Sequence, residues 1–414
     1  MEFRNHTLDN GLEIIAECDD EAHTTAVGYF VKTGSRDETD EIAGVSHFLE
    51  HMVFKGTPSR SAADVNREFD EMGAYYNAFT SEENTVYYAA VLPEFQGRSI
   101  ELLADILRPS LREDDFNTEK NVILEEIQMY MDQPPFGADD TIKALHLPGH
   151  PLARSVLGTA ETITALRPEA MRTYFERQYS PRNIVVATAG RVDFPALVDQ
   201  VAERCGQWAP RDVSRETSRA ASHSAFEVIT NSSAAQQYFL QLANGPAADD
   251  PLSERFAAKL LATVVGDDSG SRMYWDLVDT GLAEHASLSH HEYDGTGMYM
   301  VYASCDPSGA TDLAQRLSDI LRTVDRDGVT DEEVRLAKCK IKSRVVIGSE
   351  RPRNRLFYVG GNWLSRREYR ALREDLQSLD AITRDQVNAV LERFPLSENT
   401  SLTVGPLASV PRPS

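Results

Sequence analysis

The sequence predicts an α+β chain of two homologous domains, each a mostly antiparallel sheet packed by helices. Three observations carry that expectation. The 414 residues exceed what a single core organises. A helix-then-strand pattern at Pro168–Gly190, PEAMRTYFERQYSPRNIVVATAG, is echoed at Thr383–Gly405, TRDQVNAVLERFPLSENTSLTVG, each closing a half of about 200 residues. Between the halves Ala209–Ser224, APRDVSRETSRAASHS, is polar, rich in Ser and Arg and without periodicity, which reads as a linker. The expected division is residues 1–208 as the first domain, 209–224 as the linker and 225–414 as the second domain.

In the first half, Glu2–Thr7 and Leu12–Cys18 flank Asp9-Asn10-Gly11, a strong hairpin signal, and His23–Thr33 follows as a third strand. Gly44–Thr57, GVSHFLEHMVFKGT, reads as a helix that Gly56 and Pro58 stop. Ser61 with Asp64 looks like a capping box opening a helix that Gly73 closes. Tyr75–Thr80 and Asn84–Leu92, rich in aromatic and β-branched residues, suit an antiparallel pair. Helices follow at Glu94–Leu107 and Glu113–Met131, the second ending before Pro134-Pro135. In the second half, strands fall at Ala225–Thr230, Gln236–Ala243, Ala283–His291 and Gly297–Cys305, with a helix at Leu252–Val265 and helices through most of 308–394.

At about 100° per residue, His47 and His51 lie one turn apart on one face of the Gly44–Thr57 helix, with Glu50 beside them. The order HxxEH reverses HExxH and suits zinc for the same reason: two neutral imidazoles fix the ion while a nearby glutamate takes a proton from water. Phe48, Leu49, Met52, Val53 and Phe54 surround the polar triplet, so the helix is buried on most sides. Two histidines and a carboxylate there need polar partners, since unpaired burial costs several kcal/mol. The alternative is that both are ordinary core or surface histidines. A catalytic zinc needs a third protein ligand and an open position, and this helix does not supply that ligand.

The candidate for it lies in DDFNTEKNVILEEIQMYMD. With Val122 at 0° on a wheel of about 100° per residue, Val122, Ile123, Leu124, Ile127, Met129 and Tyr130 form an apolar stripe centred near 70°. Glu126 at about 40° and Glu119 at about 60° fall in the middle of that stripe, whereas Glu125 at about 300° falls at its edge. Buried carboxylates need a cation or a hydrogen-bonding partner. A metal held by His47 and His51 satisfies Glu126, with Glu119 two turns earlier bonding to a ligand histidine. For Glu126 the alternative is a buried ion pair with an arginine.

HFLEH, followed 75 residues after its second histidine by the glutamate in NVILEE, with NAFTSEENTVYY between them, resembles the pitrilysin and mitochondrial processing peptidase family of zinc metallopeptidases, the inverzincins. The likeness is closest to the bacterial short-chain members, strongest over residues 1–190 and weaker to the end of the chain. It implies a processing-peptidase-like fold and one zinc per chain. His47 and His51 match the two imidazole ligands, Glu126 the third ligand, Glu50 the general base and Glu119 the glutamate that supports the site. Asn77, Ala78, Phe79 and Thr80 match the edge strand that pairs with substrate backbone. The activity implied is a zinc-dependent endopeptidase hydrolysing short or unfolded peptides, as a homodimer or as a heterodimer with a related chain.

The second half carries no HxxEH and is expected to be a pseudo-repeat without its own metal site. There the resemblance implies an arginine and, seven residues later, a tyrosine that help hold substrate and stabilise the oxyanion. LVDTGLAE has Leu277 and Glu284 in those places. Either the chain is weakly active alone or a partner subunit brings the missing pair. A non-catalytic scaffold subunit and a zinc hydrolase acting on something other than peptides stay open as other classes, although the intact ligand set argues against the scaffold. His285, His290 and His291 lack ligand spacing and read as a surface-strand cluster, the alternative being that they compensate for the missing pair.

Composition narrows the rest. With 41% hydrophobic and 26% charged residues the chain is an ordinary soluble globular protein. A net charge of -23 argues against nucleic acid and anionic membrane surfaces, and reflects either solubility or an acidic chamber that attracts basic peptides. The start lacks a basic stretch followed by an apolar one, and no segment approaches 18 apolar residues, so a cytoplasmic protein is expected. Cys18, Cys205, Cys305 and Cys339 are scattered without CxxC spacing and are expected to be reduced, buried, small hydrophobes.

Overall fold

The structure, a computed structural model, describes residues 1–133, 135 and 137–413. Along the chain lie strands β1 (Glu2–Thr7), β2 (Glu13–Cys18) and β3 (Thr25–Val31), helices α1 (Val45–Val53) and α2 (Ala62–Glu71), and the hairpin β4 (Tyr75–Thr80) and β5 (Thr85–Val91). Helices α3 (Gln96–Ile106), α4 (Glu113–Asp132), α5 (Ala138–His146), α6 (Ala160–Ala165) and α7 (Pro168–Gln178) lead to β6 (Ile184–Gly190) and α8 (Phe194–Cys205). Then come β7 (Phe226–Thr230), β8 (Gln237–Gly245), α9 (Leu252–Gly266), β9 (His285–Tyr293) and β10 (Thr296–Cys305). Helices α10 (Ala310–Asp327), α11 (Asp331–Ser349), α12 (Pro352–Arg366), α13 (Leu372–Ala381) and α14 (Arg384–Arg393) precede the last strand, β11 (Asn399–Gly405).

The chain forms two compact units, each assembled from segments far apart in sequence: Met1–Ile127, Arg154–Arg215 and Val346–Arg370 in one, Gln128–Ala153, Glu216–Val345 and Ala371 onward in the other. The first unit holds a six-stranded sheet ordered β1-β2-β6-β3-β5-β4, with β2 and β6 parallel and every other neighbour antiparallel. The second holds a five-stranded sheet ordered β7-β11-β8-β10-β9, with β7 and β11 parallel and the rest antiparallel. With β1 set aside the two orders match strand for strand, the parallel pair included. The duplicated α+β architecture expected from the helix-strand echo is therefore present as a repeated topology, with α7 and β6 answering α14 and β11.

Strand β3, TAVGYFV, is buried at all seven positions because both faces of the first sheet are covered. On one face Val27, Tyr29 and Val31 pack in a core with Phe48, Leu49 and Met52 of α1 and Ile100 and Leu103 of α3. On the other, Ala26 and Phe30 pack with Leu356, Val359 and Leu364 of α12. Gly360 lets α12 lie directly on Phe30, since a Cβ there would stand 2.4 Å from the ring. Ionic and aromatic contacts fasten that helix and the segment after it: Arg355 of α12 pairs with Glu17, both buried, while Tyr369 Oη donates to Glu17 over 2.9 Å and Phe3 stacks on Tyr369 at 4.1 Å.

Several elements depart from the sequence expectations. Strand β2 starts at Glu13 rather than Leu12, so the β1–β2 connection spans Leu8 to Leu12, with Gly11 at φ +88. The helix expected from Glu94 opens with a 3-10 turn at Pro93–Phe95. Helix α4 ends at Asp132, and Pro134, half of its expected stop, lies outside the described residues. Cys205 and Cys305 are buried as expected, but Cys18 is half-buried and Cys339 is exposed, because it lies on the outer side of α11. The stretch 209–225 carries neither helix nor strand, yet the side chain of Arg215 within it is only 7% exposed and donates to both carboxylate oxygens of Asp37, at 2.9 and 2.7 Å. Among the described residues no helix is long and apolar enough to cross a membrane.

Candidate metal centre

Helix α1 is built by Val45, Phe48, Leu49, Met52 and Val53, whose spacing fills one face with apolar side chains and leaves His47, Glu50 and His51 on the other. Its start is held from outside the helix. Gly44 takes the N-cap position at φ +92, where a Cβ would stand 2.5 Å from the Leu157 carbonyl oxygen. The buried Glu38 carboxylate then accepts from the N–H groups of Gly44 and Ser46, each at 2.7 Å, which satisfies donors that a helix start leaves unpaired. Burial pushes the Glu38 carboxyl up to about 8, against the pull of those two bonds. Ser46 Oγ bonds to Tyr174 Oη at 2.9 Å, which in turn bonds to Thr33 at 2.8 Å.

Phe48 stacks on Phe116 at 4.6 Å and so joins α1 to α4. Across that joint His47 Nε2 and His51 Nε2 each stand 3.7 Å from Glu126 Oε2. These three residues form the one group among the described residues able to hold a metal ion, with their donor atoms all within 4.8 Å of one another. Donors on a tetrahedral ion with bonds of about 2.0–2.1 Å stand roughly 3.4 Å apart, so the 3.7 Å spacings fit such a site. Burial, with His51 second, pulls His47 down to about 3, so its imidazole is neutral and able to donate a lone pair.

His51 is oriented by a chain of charges. Its Nδ1 bonds to Glu119 Oε1 at 2.8 Å, and Glu119 Oε2 pairs with Lys55 Nζ at 2.6 Å. Burial lowers the His51 pKa, but the Glu119 hydrogen bond and the charges of Glu119, Glu126 and Glu50 outweigh it and leave it raised. For Glu119 burial acts upward, and the bonds to His51 and Lys55 reverse it, holding the carboxylate ionised. A hydrogen bond at Nδ1 of this kind fixes the tautomer that turns the Nε2 lone pair toward Glu126.

Glu50 stands beside the cluster rather than in it. Burial raises its pKa, opposed by a 2.6 Å hydrogen bond from Thr80 Oγ1 and by the nearby His51. Thr80 ends β4, which is the edge strand of its sheet. Along that strand Tyr76, Ala78 and Thr80 face the α1 side, while Tyr75, Asn77 and Phe79 face α12, where Phe79 meets Phe357 at 5.8 Å. The Ala78 N–H is taken by the Asn77 side chain at 2.9 Å.

The packing moves one sequence inference. The buried residues of α4 are Phe116, Glu119, Ile123 and Ile127, which centre its buried face at about 105° on the wheel, not 70°. Val122 and Met129, which the apolar stripe includes, are 42% and 49% exposed. Glu119 therefore sits within the buried face, Glu126 at its edge and half-buried, and Glu125 exposed. Lys55 and Glu38 had no place in the sequence reading. Lys55 does carry a signal, four residues after His51 and just past the end of α1. In the second unit Leu277 is buried and Glu284 exposed. His285 and His291 bond to serines on their own strand and His290 to the Pro246 carbonyl, so they do not converge.

Fold and cluster together define a two-unit α+β chain with one candidate metal centre, carried on an inverted HxxEH helix. Residues 13–160 match the model described as Insulinase (Peptidase family M16), and residues 165–340 match the Peptidase M16 inactive domain. The chain belongs to the insulinase peptidase family M16. A protein of Mycobacterium tuberculosis named an uncharacterized zinc protease is 32% identical over 98% of this chain and 94% of its own length. An uncharacterized zinc protease of Bacillus subtilis, YmxG, is 30% identical over 99% of this chain and all of its own length. Among solved structures a protease from Helicobacter pylori superposes with a TM-score of 0.89 at 19% identity, covering 97% of this chain and 99% of that one, which is a likeness of fold.

Proposed function

We propose that this chain is a zinc-dependent endopeptidase that hydrolyses short or unfolded peptides in the cytoplasm. His47, His51 and Glu126 hold one zinc, Glu119 orients His51, and Glu50 is the general base. The observation that carries this reading is the convergence of both Nε2 atoms, at 3.7 Å, on Glu126 Oε2 with Glu50 left outside the donor set. Zinc held there would supply Lewis acidity to a peptide carbonyl and acidify a water. Glu50, with Oε2 held by Thr80, takes the proton of the attacking water at Oε1 and passes it to the leaving amine. Asn77, Ala78, Phe79 and Thr80 accept the substrate as an added strand, backbone to backbone, which a folded domain cannot readily offer.

The test is a panel of unstructured peptides with the wild type and Glu50→Gln. Glu50→Gln should fold, keep its zinc and bind peptide while turnover falls about 10²- to 10⁴-fold. Loss of zinc with Glu50→Gln would make Glu50 a ligand and reopen the role of Glu126.

A second reading has its own observation. Leu277 is buried and Glu284 is an exposed carboxylate where the family resemblance implies an arginine and a tyrosine. On that reading the chain is a partner-dependent or non-catalytic subunit, and a related chain brings the pair. Cleavage that appears only on mixing with an Arg/Tyr-bearing partner, or not at all, would favour it.

A further inference from the structure

A second recess lies at the far end of the edge strand. Thr80, at one end of β4, touches Glu50, whereas Tyr75, at the other, lines a cavity of about 690 Å³ that includes none of the cluster residues. Tyr75 is 57% exposed, and the guanidinium of Arg353, two residues into α12, lies 4.7 Å above its ring. Arg351 and Arg353 both line the cavity and form no ion pair among the described residues, whereas Arg355 beside them is neutralised by Glu17. Asp19, Glu21 and Glu350 line it as well, on segments other than β4 and its partner β5. The cavity cation in contact with a strand side chain is Arg353, over Tyr75.

Strand geometry connects the two ends. A peptide added antiparallel, the better-paired arrangement, runs N-to-C from Thr80 toward Tyr75. Residues directly opposite each other share a face of the sheet. The peptide residue beside Thr80 points to the cluster side. The one beside Tyr75, five positions on and about 17 Å away, points to the α12 side and the guanidinium of Arg353.

We propose that this cavity is a distal subsite for a carboxylate about five residues on the C-terminal side of the cleaved bond, either an Asp or Glu side chain or the chain-terminal group. The inference rests on the peptidase reading for the location of the cleaved bond. Arg353 offers a fork of donors already held over an aromatic ring, which suits two-point recognition of a carboxylate. In a chain of net charge -23, a peptide anion finds few such places, so the subsite would set register as well as affinity.

Labelled peptides of one unstructured sequence, with a single Glu or Gln stepped through successive positions and ending in a free acid or an amide, test this. Their affinity for the zinc-loaded full chain is read by fluorescence anisotropy, and cleavage is mapped in parallel. At one position the Glu peptide, or at one length the free acid, should bind about tenfold tighter than its uncharged counterpart. Arg353→Ala should abolish the difference and Arg353→Lys keep part of it. Preference for Glu alone assigns the side chain, and preference for the free acid alone assigns the chain end. Equal affinities in the wild type, or a preference that survives Arg353→Ala, overturn the subsite while continued cleavage leaves the peptidase reading standing. Discrimination lost with Arg353→Ala but unaccompanied by cleavage would overturn the peptidase reading and keep the subsite.

Discussion

Thr80 Oγ1 donates to Glu50 Oε2 across 2.6 Å, so the end of an edge strand grips the carboxylate beside the histidine pair. That bond opposes the burial that raises the Glu50 pKa. Thr80→Val removes it with little change of shape. The Glu50 pKa should rise further, moving the acidic limb of the pH–rate profile to higher pH and lowering turnover at neutral pH by about tenfold. Zinc content should be unchanged. A limb that does not move would mean that Thr80 does not tune the base.

The two adjacent glutamates of α4 should separate cleanly. Glu126→Gln, like His47→Ala and His51→Ala, should lose the metal, whereas Glu125→Gln, altering an exposed side chain, should keep it. Elemental analysis of the purified variants decides the matter. Retention by Glu126→Gln with loss by Glu125→Gln would place the third ligand one residue earlier.

Lys55 touches neither histidine, yet its ammonium helps hold Glu119 ionised against burial. Lys55→Met should weaken the grip of Glu119 on His51 and lower zinc affinity by about 10- to 100-fold, with thermal stability largely kept. Competition against a chromophoric chelator measures this. An unchanged affinity would reduce Lys55 to a surface ion pair.

In the second unit Glu292 is paired with Arg255 at 2.6 Å and Lys259 at 3.0 Å. Burial would raise its pKa, but the charges of Lys259 and Arg255 more than reverse that and leave it at about 2. The folded value lies below the unfolded one, so the stability it contributes is present above about pH 4.5 and lost as pH falls toward 2. Glu292→Gln should cost about 3 kcal/mol at pH 7 and flatten the decline in stability across that window. Urea melts of both proteins at pH 7, 4 and 3 test it, and parallel curves would show that the pair does not govern acid stability.

Much of the candidate site is legible in the sequence because it depends on local period. His47, Glu50 and His51 share a helix face by spacing alone, and Tyr75–Thr80 reads as a strand from its aromatic and β-branched content. The α4 face is less legible. A wheel counts Val122 and Met129 as buried because they are apolar, whereas burial follows the partner surface, here Phe48 against Phe116. The Lys55–Glu119 pair joins residues 64 positions apart, and its partners become neighbours only when α1 and α4 pack. Least legible is α12. Nothing local in PRNRLFYVGGNWLSR says that it covers β3 and β6, and Gly360, a poor helix residue by propensity, fits only because Phe30 lies beneath it.

Helix α12 also gives the molecule a timetable. The sheet face it covers, with Phe30, Val185 and Ala187, is complete once Gly190 has been synthesised, but Arg366 is about 180 residues later. At about 5–20 residues per second, that interval is roughly ten to thirty-five seconds. Throughout it the nascent first unit carries an apolar sheet face with no cover of its own. Completion of the unit bearing the candidate metal centre therefore waits on residues made long after its sheet, and a ribosome that stalls in between leaves a sticky intermediate.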